Sequence, residues 1–373
     1  MHAVASPHNT VAMPDDPNPF PTGRPPAWDE LWERSWQEGV GAGELLPVRV
    51  VRIDKGGMTV SATPGTERLV VAAKAVRRVV VGDVCGIDPD SGRIEEILGR
   101  RTVFERRAPG SEREDVAVEA KALAANMDVV LVLQSLEGGV NTSRLAREIV
   151  LAWESGAQPV VVLTKADLVG REAIAGERRA AERFAPGVAV ACVSATGAPG
   201  TDELEPHLPP GSVAVLLGAS GAGKSTLANA LAGHDVQLTA EVRGGDRRGR
   251  HTTTAGQMLE LTHDRWLIDT PGIRGVGLWH SDEGLERAFA DLAPFAQRCR
   301  FADCTHTAEP GCGIREAIGA GEVGADRLET WRSLVEEVER LEAEAEVAER
   351  EERRERNQRS RRRAAAQRGR PRR

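Results

Sequence analysis

The chain has 373 residues, of which 40% are hydrophobic, and it carries a net charge of −7. This length allows two or three domains, and this hydrophobic fraction is enough to form folded cores. No apolar run approaches the roughly 18 residues of a membrane span, and the N-terminal stretch lacks the apolar centre of a signal peptide. Five cysteines are too few and too unevenly spread for a disulfide framework. We therefore expect a soluble, cytoplasmic protein.

The N-terminal part predicts an irregular extension followed by a small β domain. Residues 1–27 are rich in proline and poor in apolar side chains, so we expect them to be disordered. Residues 28–36 have helical spacing of apolar side chains. Short β-like runs bounded by Gly, Pro or Asp follow at 48–53, 58–60, 69–71, 79–81, 84–87 and 92–94. This series predicts a closed barrel of the oligonucleotide-binding (OB) type, and we assign residues 28–100 to it together with its leading helix.

Basic residues are scattered along the predicted barrel. They are Arg49, Arg52, Lys55, Arg68, Lys74, Arg77 and Arg78. An RNA-contacting surface and ordinary solvated strand edges explain them equally well, because no aromatic stacking platform accompanies them.

Strands and helices alternate in the next part of the chain. Strands are predicted at 128–133, 159–163, 188–193 and 213–217, and helices at 142–154 and 171–184. Such alternation is typical of a doubly wound α/β domain.

A glycine-rich segment follows the fourth of these strands. It reads Gly218-Ala219-Ser220-Gly221-Ala222-Gly223-Lys224-Ser225, and Thr226 continues it into a helical run. The segment matches the phosphate-binding loop (P-loop) pattern at every fixed position and in the required strand–loop–helix context. Its backbone N–H groups would hold phosphates. Lys224 would reach the β- and γ-phosphates, and the Ser225 hydroxyl would ligate Mg²⁺.

Two strand ends before the P-loop carry polar residues suited to a guanine base. Thr164-Lys165-Ala166-Asp167 follows one strand, and Ser194-Ala195 follows the next. The carboxyl ends of parallel strands are where such sheets bind ligands. Asp167 could accept hydrogen bonds from N1–H and N2–H₂ of guanine, Lys165 would lie along the base, and a backbone N–H at 194–195 would reach O6.

Two polar segments after the P-loop predict the switches that sense the γ-phosphate. In Arg248-Gly249-Arg250-His251-Thr252-Thr253-Thr254, a threonine, which we assign as Thr253, would close onto Mg²⁺. Asp269-Thr270-Pro271-Gly272 ends another apolar run. Asp269 would hold Mg²⁺ through water, and the Gly272 N–H would contact the γ-phosphate.

The motif order is permuted, since the base-reading elements precede the P-loop. In identity and order these motifs resemble the ribosome small-subunit-dependent GTPase A family of circularly permuted P-loop GTPases, over residues 28–345. The resemblance implies an OB-type barrel, a permuted GTPase domain over 101–290 and a zinc-binding domain with a helix over 291–345. It also implies a Mg²⁺-dependent GTP hydrolase that binds the small ribosomal subunit and its rRNA as a monomer. Such an enzyme acts in late subunit assembly and is released after hydrolysis.

Two positions bear on catalysis and affinity in this family. Ile273 stands where many small GTPases carry a water-orienting glutamine, and the resemblance makes His251 the candidate for that role. His251 as an ordinary switch residue is the alternative. Thr164 stands where most GTPases have asparagine, and we expect the loss of that side-chain bridge to weaken nucleotide binding.

Four potential metal ligands lie within fourteen positions, and they are Cys299, Cys304, His306 and Cys312. Three thiolates and one imidazole form the donor set of closed, structural zinc sites. The spacing also matches the family's zinc motif, so we expect one structural zinc ion per chain.

The C-terminal end predicts a helix over 327–350 and then a charged tail. We expect residues 346–373 to form no regular structure, because their arginines repel one another. The tail suits RNA phosphates, or it is simply solvated. Two alternative functions stay open at this point: an RNA-binding assembly chaperone that uses GTP only as a conformational ligand, and a P-loop ATPase or kinase.

Overall fold

The computed structural model describes residues 23–39, 45–54, 57–73, 76, 78–106, 121–236, 238, 256–270, 278 and 281–368. The strands are β1 (Leu46–Asp54), β2 (Gly57–Thr63), β3 (Thr66–Ala72), β4 (Val84–Asp88), β5 (Arg93–Ile97), β6 (Val103–Arg106), β7 (Lys121–Ala125), β8 (Val129–Ser135), β9 (Gln158–Thr164), β10 (Ala189–Cys192), β11 (Val213–Gly218), β12 (Gly256–Leu261) and β13 (Arg265–Asp269). The helices are α1 (Glu30–Gly39), α2 (Thr142–Glu154), α3 (Arg171–Phe184), α4 (Lys224–Ala232), α5 (Asp282–Ala288), α6 (Ala293–Ala296), α7 (Gly313–Gly319) and α8 (Ala325–Arg368).

Strands β1 to β5 form the predicted barrel. They pair in the order β1-β2-β3-β5-β4, and β4 closes the ring onto β1. The β3–β5 pair is parallel, whereas the other pairs are antiparallel. Alternate side chains such as Val48, Val50, Ile87 and Ile94 fill the interior, as expected for strands with one buried face.

The run at 79–81 does not form a barrel strand, so that part of the prediction is wrong. Val81 makes only an isolated bridge with Ala124. The Asp83 carboxylate accepts a hydrogen bond from the Val80 N–H at 2.8 Å, and Gly82 has φ +91°. The Asp83 side chain thus caps a local turn that ends the β-like run, and the remaining backbone contacts with β1 and β7 are the single hydrogen bonds from Gly82 N–H to the Val50 carbonyl, from Val50 N–H to the Asp83 carbonyl and from Ala125 N–H to the Val81 carbonyl.

The α/β domain has the predicted alternation of strands and helices. Its sheet order is β10-β9-β8-β11-β13-β12, and all pairs are parallel except β12–β13. Helices α2, α3 and α5 cover one face of the sheet, and α4 covers the other. Strand β11, which leads into the P-loop, therefore lies in the middle, between β8 and β13, the strand that ends in Asp269.

The barrel and the α/β domain share one continuous sheet. Strand β1 pairs antiparallel with β12, and the register joins Arg52 to Gln257 and Ile53 to Gly256. Gly256 lies where three elements meet: a Cβ there would be 3.0 Å from Val81 Cγ2 and 3.2 Å from Thr270 Oγ1. The barrel thus contacts the α/β domain directly beside the strand that ends in Asp269.

Arg49 belongs to this junction and not to an RNA-binding surface. Its side chain is buried, with 1% of the residue exposed. The guanidinium donates to the carbonyls of Pro26, Ala27 and Asn126 at 3.1, 3.2 and 2.7 Å. Burial lowers the pKa of Arg49 to about 10, and the nearby Asp128 opposes that shift. The structure removes Arg49 from the set of basic residues available to RNA.

Helix α8 is longer than the helix expected over 327–350, because it continues to Arg368 through the tail for which no regular structure was expected. Side-chain pairs such as Arg340–Glu344 and Glu346–Arg350 connect successive turns at 3.1 Å, and opposite charges four residues apart favour a helix. Neither Gly nor Pro interrupts residues 325–368. Within the described ranges, no helix is both long enough and apolar enough to cross a membrane.

Candidate functional site

The P-loop connects β11 to α4 at the carboxyl edge of the sheet. Gly218 ends β11 with φ +144°, and a Cβ there would lie 2.7 Å from the Leu133 carbonyl oxygen, so only glycine fits. Gly223 precedes α4 with φ +89°. Ser225 and Thr226 lie exposed in the first turn of α4. The loop therefore presents backbone N–H groups and a helix N-terminus on one side, the arrangement that binds phosphate.

Lys224 and Asp269 line one cleft beside the P-loop. The Lys224 ammonium is buried and donates to the carbonyls of Gly218, at 2.9 Å, and of Ala219. Asp269 ends β13, which is paired in parallel with β11, and it borders the same cleft together with Thr270. A cation and a carboxylate at adjacent strand ends are suited to hold a phosphate and the Mg²⁺ that accompanies it.

Asp167 and Ser194 meet at the ends of β9 and β10. The Ser194 hydroxyl donates to Asp167 Oδ1 at 2.6 Å, and it accepts from the Gly197 N–H at 2.9 Å. Ser194 is buried, whereas Asp167 is exposed. The sequence had assigned to Ser194 and Ala195 only a backbone contact with the base. The structure adds that the Ser194 side chain orients the carboxylate.

Thr164, at the end of β9, forms a side-chain bridge to the P-loop although it replaces asparagine. Its hydroxyl is buried and donates to the Ala222 carbonyl at 2.8 Å, with the Gln134 carbonyl at 3.4 Å. Gly223, next to Ala222, packs beside this hydroxyl: a Cβ there would lie 3.6 Å from Thr164 Oγ1, an ordinary contact distance.

Other charged groups surround these elements. Lys165, whose backbone φ is +60°, forms an ion pair with Glu137, which follows β8; Lys165 Nζ and Glu137 Oε2 are 2.7 Å apart. Burial raises the pKa of Glu148 on α2 to about 7, and the charges of Arg144 and Lys224 oppose this shift. Gln134 donates to Glu148 at 2.9 Å. No sequence motif marked Gln134 or Glu148, because neither belongs to a spaced pattern.

Three of the predicted site residues lie outside the described residues. They are His251, Thr253 and Gly272, and Ile273 lies outside them too.

The four predicted metal ligands come together at the start of α7. The Sγ atoms of Cys299 and Cys312 are 3.9 Å apart, and His306 Nδ1 lies 3.5 and 3.4 Å from them. The ligand atoms of all four residues, including Cys304, lie within 4.8 Å of one another. A tetrahedral zinc ion with bonds near 2.3 Å separates its sulfur ligands by about 3.8 Å. The donor set and its spacing therefore fit a metal ion.

The framework around this cluster supports ligation. Burial acts to raise the pKa of the Cys299 thiol, but the backbone N–H groups of Gly313 and Ile314, at the first turn of α7, help to lower it. A Cβ on Gly313 would lie 2.3 Å from the Phe295 carbonyl oxygen, so the close approach requires glycine. The Trp331 ring of α8 lies 5.6 Å from the His306 ring, measured between centroids. Hydrogen bonds to ligand atoms of this kind tune and orient metal sites.

Comparisons with known proteins agree with this geometry. The family model described as RsgA GTPase matches residues 97–279. A protein of Streptomyces avermitilis, named small ribosomal subunit biogenesis GTPase RsgA, is 42% identical over 329 residues, which cover 86% of this chain and 87% of that protein. The crystal structure of YjeQ from Thermotoga maritima superposes with a TM-score of 0.59 at 25% identity, over 79% of this chain and 98% of that one. YloQ, a circularly permuted GTPase, shares the fold with a TM-score of 0.57 at 21% identity, over 79% and 95%. The chain belongs to the RsgA GTPase family.

Proposed function

We propose that this GTPase binds the small ribosomal subunit and acts in its late assembly, and that the subunit stimulates hydrolysis and hydrolysis permits release. The observation that carries the proposal is that the P-loop, the segment 164–167 and the segment 194–195 meet at one edge of the sheet. Thr164 hydrogen-bonds the P-loop, and Ser194 hydrogen-bonds Asp167. The name of the Streptomyces relative, a small ribosomal subunit biogenesis GTPase, supplies the assembly step.

The proposed roles follow from where each residue lies. Gly218 to Thr226 surround the phosphates, and Lys224 neutralises charge that develops on the transferred group. Ser225, Thr253 and Asp269 would hold Mg²⁺, which would supply positive charge that offsets the negative charge of the phosphates. Thr164, Lys165, Asp167, Ser194 and Ala195 select guanine.

Hydrolysis by the isolated chain should be slow, because Ile273 cannot orient a water molecule. GTPases without a stimulating partner turn over at roughly 10⁻⁴ to 10⁻³ per second, and a completed site gains about 10³- to 10⁵-fold. The deciding measurement is GTP turnover alone, with small subunits and with large subunits. A chaperone that uses GTP only as a ligand would show no stimulation by either subunit.

His251→Ala should remove most of the stimulated rate and leave nucleotide affinity nearly intact. We infer that subunit binding brings the imidazole next to the attacking water. General acid–base catalysis by a positioned side chain typically raises the rate about 10²- to 10⁴-fold. Single-turnover hydrolysis on small subunits measures the effect, with GDP affinity as the control. Parent-like stimulated turnover would assign the missing group to the subunit instead.

Thr164→Val should weaken GDP binding about two- to tenfold. The substitution keeps the shape of the side chain but removes the hydrogen bond to the Ala222 carbonyl, and a neutral hydrogen bond contributes about 0.5 to 1.5 kcal/mol. Thr164→Ser, which retains the hydroxyl, should bind like the parent. The GDP dissociation rate measured by stopped-flow fluorescence separates the two variants. Equal rates in both would mean that this bond does not stabilise the loop.

We further propose one structural zinc ion per chain, held by Cys299, Cys304, His306 and Cys312. The support is the Cys₃His donor set and its separations. Four protein ligands leave no open position for substrate, so the ion would stabilise the fold and would not take part in hydrolysis. We also propose a cytoplasmic monomer that contacts rRNA.

A further inference from the structure

The four proposed metal ligands are held in place by two different supports. Cys312 precedes α7, and Cys299 is tied to the same region because the neighbouring Arg300 N–H donates to the Gly311 carbonyl at 2.9 Å. Cys304 and His306 lie instead on the turn that connects Cys299 to Cys312. The helical framework therefore accounts for the position of two ligands only.

One carboxylate organises that turn. Glu309 Oε1 accepts from the Thr305 N–H at 2.9 Å and from the Thr305 hydroxyl at 2.5 Å. Its Oε2 accepts from the N–H groups of Thr307 and Ala308 at 2.9 and 3.0 Å. These hydrogen bonds hold the pKa of Glu309 well below its usual range, and the bond from the Thr305 hydroxyl has the largest effect. Both carboxylate oxygens are thus occupied within the turn, and Glu309 is not one of the four clustered ligands.

His306 needs such support because its backbone is in an unfavourable conformation. Its φ is +58°, in the left-handed region that residues other than glycine rarely adopt. Glu309 binds the N–H groups on both sides of it, at 305 and 307. The imidazole Nδ1 consequently points at the sulfur atoms of Cys299 and Cys312.

We propose that Glu309 is the positioning residue of the metal site, which holds the turn of residues 305–308 in its ligating conformation. This inference rests on the proposed zinc site. The carboxylate binds no metal itself, and it raises metal affinity by preparing Cys304 and His306 before the ion arrives. Groups that orient ligands in this way typically account for a 10- to 100-fold difference in metal affinity.

The test is a zinc titration of the full chain against a chromophoric chelator. Glu309→Gln keeps the size of the side chain, but its NH₂ group would face N–H donors. Glu309→Ala removes every acceptor. Both should weaken zinc binding about 10- to 100-fold. Glu316→Gln, at an exposed glutamate on α7, is the matched control and should bind within about twofold of the parent. Thr305→Val removes only the hydroxyl donor and should give a smaller loss, which keeps the inference testable if a Glu309 variant misfolds.

Cobalt absorption spectra distinguish a positioning residue from a ligand. At saturating Co²⁺, Glu309→Gln should show the same tetrahedral bands as the parent, whereas His306→Ala should show altered bands. Parent-like zinc affinity in both Glu309 variants, or altered bands in Glu309→Gln at saturation, would overturn the role. A parent chain that takes up neither metal would overturn the zinc proposal itself, and this inference with it.

Discussion

Asp167→Asn should abolish the preference for GTP over ATP. The carboxylate can accept from both N1–H and N2–H₂ of guanine, whereas asparagine offers one acceptor and one donor. Hydrogen bonds to a charged group contribute about 1.5 to 3 kcal/mol each. Asparagine keeps one acceptor, so one of these bonds is lost outright and the asparagine NH₂ then faces a guanine donor; the lost bond alone lowers GTP affinity about 10- to 100-fold. Ser194 will not restore the lost acceptor, because its hydroxyl already donates to Asp167 Oδ1 in the parent.

Xanthosine triphosphate provides a gain-of-binding readout for the same variant. Xanthine has a carbonyl oxygen where guanine has the 2-amino group, so the asparagine NH₂ can donate to it. We therefore expect Asp167→Asn to bind this nucleotide more tightly than the parent does. Equilibrium affinities for the three nucleotides are the measurement, and Asp202→Asn, at an exposed carboxylate beyond β10, is the control. Retained selectivity for GTP over ATP would remove Asp167 from the base-reading role.

Cys304→Ser should release the zinc ion and unfold the region around residues 299–312. Apparent binding free energies of structural zinc sites are about 10 to 16 kcal/mol in small peptides, which exceeds the stability of most domains. The rest of the C-terminal part keeps an independent anchor. Arg327, 4% exposed, pairs with Asp291 at 2.6 Å and donates to the Phe184 carbonyl at 3.0 Å.

Elemental analysis and hydrogen exchange together test this prediction. We expect one zinc ion per parent chain, none in Cys304→Ser, and faster amide exchange at 299–320 but not at 325–338. Cys192→Ser, at a buried thiol next to Glu203 in the α/β domain, should keep its zinc. A freshly purified parent without zinc would contradict the prediction, as would unchanged exchange in Cys304→Ser.

The features that the sequence predicts well are those determined by residues close together in the chain. The P-loop, the residues around Asp167 and the four clustered Cys and His side chains could be singled out from the sequence, because each proposed role requires particular residue types at fixed spacing. Helices α2 and α3 have the predicted ends, since their apolar periodicity is strong. The closed barrel was predictable as a class, but the end of the 79–81 run was not, because a side-chain cap at Asp83 decides it.

Features that depend on distant partners were not predictable. Arg49 looks like a surface residue in sequence, and only the backbone carbonyls that surround it explain its burial. Thr164 acts through a hydrogen bond to Ala222, 58 residues along the chain, whereas the bonds of Glu309 are local but belong to no motif. Strand β12 was missed because its position depends on pairing with β1 and β13. Helix α8 is longer than predicted. The prediction gave more weight to repulsion among the arginines of the final residues than to the favourable charge pairs that precede them.

The pairing of β1 with β12 also bears on how the chain folds during synthesis. About 200 residues separate Ile53 from its partner Gly256. At translation rates of 5 to 20 residues per second, β1 waits roughly 10 to 40 s for that neighbour. During this interval the outer edge of β1 near Arg52 is an unpaired strand edge, which is the kind of surface that templates aggregation. The permuted order thus leaves this edge of the nascent barrel without its partner strand until the second half of the GTPase domain has left the ribosome.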